Sequence, residues 1–234
     1  AAGPAKALAA LLGARCAPIA VHRFPDGESL VQVAGTGPVA LLYRSLDDPN
    51  AKLVEVLLAA SALRDFGARQ VVLIAPYLAY MRQDMAFRPG EAVSQRVIGR
   101  LLAGTFDGVL TIDPHLHRVH SLGEVIPDVP AIAITAAPLL VAAIDHQAAP
   151  VLAGPDAESH QWVGAVARLA DLRSIVGCKQ RRGDRDVTVT FEDATQIAGR
   201  PVVLVDDLIS SGRTLIEAAA GLHAAGAARV DALA

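Results

Sequence analysis

The sequence contains few of the residues that build cross-linked or nucleic-acid-binding proteins. It has two cysteines in 234 residues, Cys16 and Cys178, far apart in the chain. They form neither a disulfide framework nor a CxxC metal unit, so a reducing cytoplasm is the expected compartment. Aromatic residues make up only 4% of the chain, the net charge is −3, and there is no basic tract. This composition argues against a nucleic-acid partner.

Long apolar runs are also missing. The most apolar stretch, AIAITAAPLLVAAI (131–144), is too short to span a bilayer, and Thr135 and Pro138 interrupt it. The first residues carry no charged segment followed by an apolar run, so we expect neither a signal peptide nor a membrane partner. The chain does not begin with Met, and its final RVDALA resembles a strand cut short, so we expect residues to be missing at both ends.

Apolar runs of strand length alternate with helical patterns along the chain. Seven segments are nearly continuous in apolar character, which is typical of strands covered on both faces: 70–77, 108–113, 131–135, 150–154, 172–178, 201–207 and 229–234. Five others have helical spacing of apolar residues: 53–67, 91–104, 137–146, 158–172 and 214–226. The alternating VTVTFE (187–192) predicts a hairpin or an edge strand.

This alternation predicts an α/β fold in which mainly parallel sheets are flanked by helices. A helix that ends at Gly precedes a strand in both halves, in LRDFGARQVVLIA (63–75) and in LHAAGAARVDALA (222–234). We therefore predict two similar domains, residues 1–140 and residues 141–234.

One strand end carries an unusual loop, VVLVDDLISSGRT (202–214). Ligands of open α/β sheets bind beyond the carboxyl ends of strands, and the N–H groups of a following helix favour an anion. Residues 209–214 therefore form a candidate phosphate cradle. Asp206 and Asp207 need a different partner, and vicinal sugar hydroxyls or a metal ion would suit them. The alternative is that the two acids only end the strand.

This loop resembles the phosphoribosyl-diphosphate binding motif of the type I phosphoribosyltransferase superfamily. The resemblance implies that Asp206 and Asp207 hold ribose hydroxyls. It implies that the 5′-phosphate is held by Ile209, Ser210, Ser211, Gly212, Arg213 and Thr214. Two positions depart from the usual motif, because Ser211 replaces Thr and Arg213 stands where Gly or Lys is common.

Five further segments resemble motifs of one family in the superfamily, the ribose-phosphate diphosphokinases, and occur in that family's order. They are HRFPDGE (22–28), PYLAYMRQD (76–84) followed by GEAVSQRVIGRLL (90–102), TIDPHLHR (111–118), GPDAES (154–159) and CKQRR (178–182). The segment RQDMAFRPGE lacks a longer basic insertion and looks like the shorter, archaeal-type form. That form implies weak or absent inhibition by nucleoside diphosphates.

The family reaction transfers diphosphate from ATP to the 1-hydroxyl of ribose 5-phosphate, giving phosphoribosyl diphosphate and AMP. The resemblance implies two phosphoribosyltransferase-type domains, with ATP on the side of residues 1–140 and ribose 5-phosphate on the side of residues 141–234. It also implies Mg²⁺ as cofactor. A dimer-based homo-oligomer is expected, in which the FPDGE loop serves a neighbour's adenine pocket.

The resemblance assigns roles to individual residues. ATP binding falls to Phe24, Asp26, Glu28, Arg82, Gln83 and Asp84. Metal binding falls to His115 and Asp156, and Lys179 and Arg181 are the catalytic pair that stabilises the transferring group.

Three alternatives stay open. His117 and His120 lie beside His115, which would also suit zinc. GPDAES carries Glu158 and Ser159 where the family has glycines, so the chain could be a catalytically silent regulatory homologue, since Glu158 would add bulk and charge near a phosphate. A phosphoribosyltransferase acting on a nucleobase would explain the 202–214 loop but not the other motifs.

Overall fold

The computed structural model describes residues 2–116, 118–181, 187–191 and 194–234, with the side chains of residues 179–181, 187, 188 and 194 outside that description. The chain forms two compact units, Ala1–Ile134 (unit 1) and Thr135–Ala234 (unit 2). The sequence placed this division at residue 140. Each unit contains a four-stranded parallel sheet with helices, which confirms the predicted α/β class.

Unit 1 is built on a sheet with strand order β3-β4-β5-β6 and a separate antiparallel hairpin, β1-β2. Its elements are α1 (Ala2–Leu11), β1 (Ala20–Arg23), β2 (Ser29–Gln32), β3 (Val39–Tyr43), α2 (Pro49–Asp65), β4 (Gln70–Ala75), α3 (Ser94–Thr105), β5 (Gly108–Ile112), α4 (Leu122–Val125) and β6 (Ala131–Ile134).

The core of unit 1 forms where α2 covers the sheet. Residues of α2 recur at helical spacing on its buried face: Leu53, Val56, Ala59, Ala60 and Leu63. Pro49 lies in the first turn, where its missing N–H costs no helical hydrogen bond. Gly67, at φ +107°, lets the chain reverse into β4 after the helix. The helix therefore begins four residues before the predicted 53–67.

Unit 2 has strand order β12-β11-β7-β8, all parallel, and a second antiparallel hairpin, β9-β10. Its elements are α5 (Ala137–Ala143), β7 (Val151–Gly154), α6 (His160–Ala170), β8 (Ser174–Val176), β9 (Cys178–Arg181), β10 (Val187–Thr190), β11 (Pro201–Val205), α7 (Arg213–Ala224) and β12 (Arg229–Leu233). The alternating segment 187–192 thus supplies one strand of a hairpin, as its pattern predicts.

The residues of β7 and β11 are almost all inaccessible to solvent, in agreement with their continuous apolar sequence. Across the described parts of both units, no helix is both long enough and apolar enough to cross a membrane.

Candidate functional site

Three carboxylates follow two neighbouring strands of unit 2. β7 and β11 pair in parallel, with Leu204 opposite Ala153, so their carboxyl ends lie at the same edge of the sheet. Asp156 follows β7, and Asp206 and Asp207 follow β11. The sequence-predicted sugar and metal residues of unit 2 are therefore brought to one sheet edge.

The pKa of Asp206 reflects its burial and the negative charges that lie near it at this edge. Burial of Asp206 raises its pKa to about 6, and the negative charges of Asp207 and Asp156 add to the effect. The backbone N–H of Asp207 donates to Asp206 Oδ1 at 3.0 Å and opposes the rise. An acid with such a pKa favours a partner that offers hydroxyl donors or positive charge.

The loop after these acids has the properties of an anion site. Gly212 precedes α7 with φ +75°, a conformation that favours glycine, and the helix begins at Arg213, one residue before the predicted 214–226. Ser210 and Ser211 are exposed, and their hydroxyls accept from the N–H groups of Ser211 (2.6 Å) and Arg213 (3.4 Å). Hydroxyl and amide donors at a helix start suit a phosphate.

Arg213 forms an ion pair with another residue of its own helix. Its Nε donates to Glu217 Oε1 at 2.6 Å, one turn along α7, and the side chain stays largely exposed. Glu217 therefore fixes the direction of the arginine that departs from the superfamily motif.

The departure at Glu158 and Ser159 has a structural explanation. Asp156 caps the short turn that follows it, because its Oδ1 accepts from the N–H groups of Glu158 (3.1 Å) and Ser159 (3.2 Å). The Ser159 hydroxyl is buried and returns to the backbone of Asp156, in space that a Cβ on Gly154 would fill. Glu158 is exposed. Ser159 thus holds the Asp156 turn together rather than occupying a phosphate site.

The predicted catalytic pair lies on β9. Lys179 is paired with Val189 and Arg181 with Val187 across the β9-β10 hairpin. The side chains of both cations lie outside the described part of the structure, so their role stays a prediction.

In unit 1, the turn between β1 and β2 carries Phe24, Asp26 and Glu28, all exposed. The Phe24 N–H donates to Glu28 O at 2.8 Å, and the Glu28 N–H donates to Asp26 Oδ1 at 3.1 Å. The ring of His22 packs edge-on against Phe24 with centroids 4.9 Å apart. The turn therefore presents one aromatic face beside two carboxylates.

The side chains of the RQD segment (82–84) differ in their exposure to solvent. Arg82 is exposed, whereas the Asp84 side chain is only 2% exposed. Asp84 Oδ1 accepts from Arg118 Nη1 at 2.6 Å, and the Arg118 guanidinium lies 5.9 Å from the centre of the Phe87 ring. Sequence reasoning did not single out Arg118, although it ends the TIDPHLHR motif.

The loop that follows Asp84 is organised by Glu91. Its Oε2 accepts from the N–H groups of Phe87 (2.8 Å) and Arg88 (3.1 Å), and at 3.4 Å from Gln83 Nε2. Gln83 Nε2 also donates to Met85 O at 3.0 Å. The amide of Gln83 therefore braces its own loop in this structure.

Few of the described side chains are placed to bind a metal ion. His115 is half-buried in the segment after β5, whereas His117 lies outside the described residues. The described part of the chain contains no group of three or more His, Cys, Asp or Glu side chains that could hold a metal ion. A magnesium ion, which is often held by one or two carboxylates together with water and substrate phosphates, fits Asp156 better than zinc fits the histidines.

Comparison with known proteins identifies the family. Residues 3–105 match the model of the N-terminal domain of ribose phosphate pyrophosphokinase, and residues 124–234 match that of the phosphoribosyl transferase domain. The ribose-phosphate pyrophosphokinase of Halobacterium salinarum is 38% identical over 228 residues, which cover 93% of this chain and 77% of that protein. The chain belongs to the ribose-phosphate pyrophosphokinase family.

Further comparisons agree with this membership. The pyrophosphokinase of Methanopyrus kandleri is 35% identical over 225 residues, covering 94% of this chain and 76% of that one. These relatives are archaeal, as the shorter form predicted from the sequence implies. The fold is also that of the phosphoribosylpyrophosphate synthetase crystal structure from Mycobacterium smegmatis, with a TM-score of 0.80, 24% identity, and coverage of 97% of this chain and 75% of that one.

The first prediction concerns the crowded acids. Since Asp206 has a raised pKa in the folded protein, the folded state binds its proton more tightly than the unfolded state, and the free energy of unfolding falls as the pH rises from about 4 to about 6. Asp206→Asn removes this loss and keeps an oxygen for the Asp207 N–H. We expect the variant to be about 1 kcal/mol more stable than wild type at pH 7, after allowance for solvent screening.

Urea unfolding at pH 3.5, 5 and 7 measures the difference. The gain should shrink to about 0.2 kcal/mol at the lowest pH, where the folded state is protonated and the unfolded state is largely protonated. Asp231→Asn, an exposed carboxylate 2.8 Å from Arg229, is the matched control and should change stability by less than about 0.5 kcal/mol. A gain that does not vary with pH would contradict the assignment.

The second prediction concerns Arg118. Arg118→Gln leaves the buried Asp84 carboxylate without its cation, so we expect a loss of about 1–3 kcal/mol in the free energy of unfolding at pH 7. Asp84→Asn combined with Arg118→Gln should recover part of that loss. Arg229→Gln, which breaks an exposed pair, is the control. Equal losses in Arg118→Gln and the control would show that Asp84 does not need the arginine.

Proposed function

We propose that this chain transfers diphosphate from ATP to the 1-hydroxyl of ribose 5-phosphate, giving phosphoribosyl diphosphate and AMP. Membership of the ribose-phosphate pyrophosphokinase family supports this reaction. The observation that carries it lies at one edge of the unit 2 sheet. There the closely spaced acids Asp156, Asp206 and Asp207 adjoin the loop at residues 209–214, which has the properties of an anion site. Such a pair of subsites fits a ligand with both a sugar diol and a phosphate.

The acceptor binds in unit 2. Asp206 and Asp207 accept hydrogen bonds from the ribose hydroxyls, and the loop at residues 209–214 holds the 5′-phosphate with amide and hydroxyl donors. The positive end of α7 contributes to the same phosphate.

The donor binds through the exposed groups of unit 1. Phe24 stacks on adenine, and Asp26 or Glu28 accepts from its amino group. Arg82 binds phosphate oxygens, which suit the fixed fork of its guanidinium, and Gln83 joins it once its amide releases Met85 O and Glu91. Asp84 supports this segment from inside rather than touching ATP, since its side chain is buried against Arg118.

In the reaction, the 1-hydroxyl oxygen bonds to the β-phosphorus of ATP, and the bond from that phosphorus to the oxygen bridging the α-phosphorus breaks. AMP leaves with those bonding electrons, and the hydroxyl proton is released. Lys179 and Arg181 stabilise the charge on the transferring group. His115 would hold one Mg²⁺ and Asp156 a second, and such ions, when bound, would neutralise phosphate charge and lower the pKa of the attacking hydroxyl.

The working enzyme is a dimer-based homo-oligomer in the cytoplasm, with no nucleic-acid or membrane partner. A nucleobase phosphoribosyltransferase would leave the unit 1 family match unexplained. The silent-homologue alternative rested on Glu158 adding bulk and charge near a phosphate; family membership argues against it, and Ser159 supports the Asp156 turn. The diphosphokinase is therefore the preferred function.

The third prediction tests the reaction. The full chain incubated with ATP, Mg²⁺ and ribose 5-phosphate should form AMP only when the sugar phosphate is present, measured by chromatography of the nucleotides. Lys179→Ala should reduce kcat by about a hundredfold or more, because it removes a charge that stabilises the transition state, while ATP binding by calorimetry largely survives. Sugar-independent AMP, or base-dependent release of diphosphate from phosphoribosyl diphosphate, would refute the proposal.

The fourth prediction separates the two subsites. Asp207→Ala should raise the KM for ribose 5-phosphate by about tenfold or more, because a lost charge-assisted hydrogen bond to a hydroxyl is worth about 1.5–3 kcal/mol, and should leave the KM for ATP within about twofold. Asp231→Ala, which removes an exposed carboxylate in β12, is the control and should change neither constant. Equal rises in both constants would assign Asp207 to metal or fold instead.

A further inference from the structure

One buried carboxylate in unit 1 binds two arginines at once. The Glu55 side chain, in α2, is 6% exposed although it lies on a helix that faces an apolar core. Its Oε1 accepts from Arg23 Nη2 at 3.1 Å, and its Oε2 accepts from Arg44 Nη2 at 2.7 Å. A buried carboxylate is tolerated only with such partners, so the two arginines offset the cost of burying Glu55 inside the unit.

The two arginines belong to different parts of unit 1. Arg44 follows β3, and its N–H donates to Ile74 O at 2.9 Å, which continues the hydrogen-bond ladder with β4. Arg23 is the last residue of β1 and directly precedes Phe24. Glu55 therefore joins the sheet, which is rigid, to the hairpin that carries the FPDGE turn.

The apolar contacts of that hairpin with the core come from β2, which packs against α2, and from the residues that flank the hairpin. All four residues of β1 are exposed, whereas Val31 of β2 and the flanking Ile19 and Val33 pack on the core. The hydrogen bonds of the turn are internal to it. Within the described residues, the Arg23–Glu55 ion pair is the one side-chain polar contact between this hairpin and the rest of unit 1. The residue directly before Phe24 is thus tied to a carboxylate 32 residues away in sequence.

We propose that Glu55 is a positioning residue for recognition of the adenine base. By holding Arg23, it sets the position of the Phe24–Glu28 turn, so that the aromatic ring and the two acids meet the base together. The inference rests on the proposed function, because it assigns the turn to ATP. It concerns base selection and not the transfer step, so it predicts a loss of nucleotide affinity and discrimination with little loss of kcat.

Arg23→Gln is the principal test, since Arg23 is exposed and its loss leaves Glu55 paired with Arg44. We expect the KM for ATP to rise by about threefold to tenfold, which is the scale of losing one partly exposed ion pair. The KM for ribose 5-phosphate and kcat at saturating ATP should stay within about twofold. The preference for ATP over inosine triphosphate, which has an oxygen in place of the 6-amino group, should fall by a similar factor.

Two further variants separate positioning from direct contact. Arg23→Lys keeps a cation for Glu55 and should recover part of the lost affinity. Glu55→Gln should raise the KM for ATP like Arg23→Gln, and the double variant should be no worse than the more affected single variant. If the Arg23 and Glu55 effects multiply, Arg23 touches the nucleotide itself and the positioning role is refuted. If Glu55→Gln fails to fold, the recovery of affinity in Arg23→Lys and the base preference of Arg23→Gln still distinguish positioning from direct contact.

Arg64→Gln is the matched control. It breaks another ion pair of the same helix, Arg64 to Asp107 at 2.9 Å, on the last turn of α2 and away from the hairpin. Its KM for ATP and its base preference should equal those of wild type. Wild-type activity with unchanged constants in Arg23→Gln would overturn this inference alone, whereas a wild-type chain that forms no sugar-dependent AMP would overturn the proposed function first.

Discussion

The parallel pairing of β7 with β11 is the constraint on which the acid cluster of unit 2 depends. Because both strands run the same way, Asp156, Asp206 and Asp207 emerge at one edge of the sheet. Burial of Asp206, together with the nearby charges of Asp207 and Asp156, raises its pKa to about 6, so near neutral pH the fold holds together charges that repel. That repulsion lowers stability in the absence of ligand, and it would strengthen this edge as an acceptor of the hydroxyls proposed to bind there. Stability and binding are therefore opposed at the same atoms.

The sequence predicted those elements whose signal is local. β11 is an apolar run that ends in two acids, and α7 begins after a glycine, so both boundaries follow from the residues themselves. The hairpin β1-β2 was missed, because its strands have four residues each and mostly exposed side chains. Its attachment relies in part on Glu55, and hydrophobic periodicity carries no information about an ion pair so distant in sequence.

The candidate site shows a similar limit. Motifs identified which residues matter, but not which way their side chains point. Asp84 was predicted to contact ATP along with Arg82, yet one is buried and the other exposed within three residues of chain. Ser159 stood out as a departure from the family, and in the fold its hydroxyl completes the cap on Asp156. Orientation depends on what the rest of the unit offers, such as Arg118 or the space above Gly154, and no linear pattern encodes it.

The buried acids of unit 1 are consistent with the negative charge of the ligand proposed to bind this unit. A site for a polyanion must present cations, but a free arginine has many rotamers, and ordering it costs conformational entropy. Glu55 and Asp84 each lie inside the unit, and each binds an arginine that remains partly exposed. Both pairs adjoin a segment proposed to bind ATP. In unit 2, where the proposed ligand offers hydroxyl donors, the acids themselves form the edge. The same residue type therefore binds arginines in one unit and is proposed to contact the ligand directly in the other.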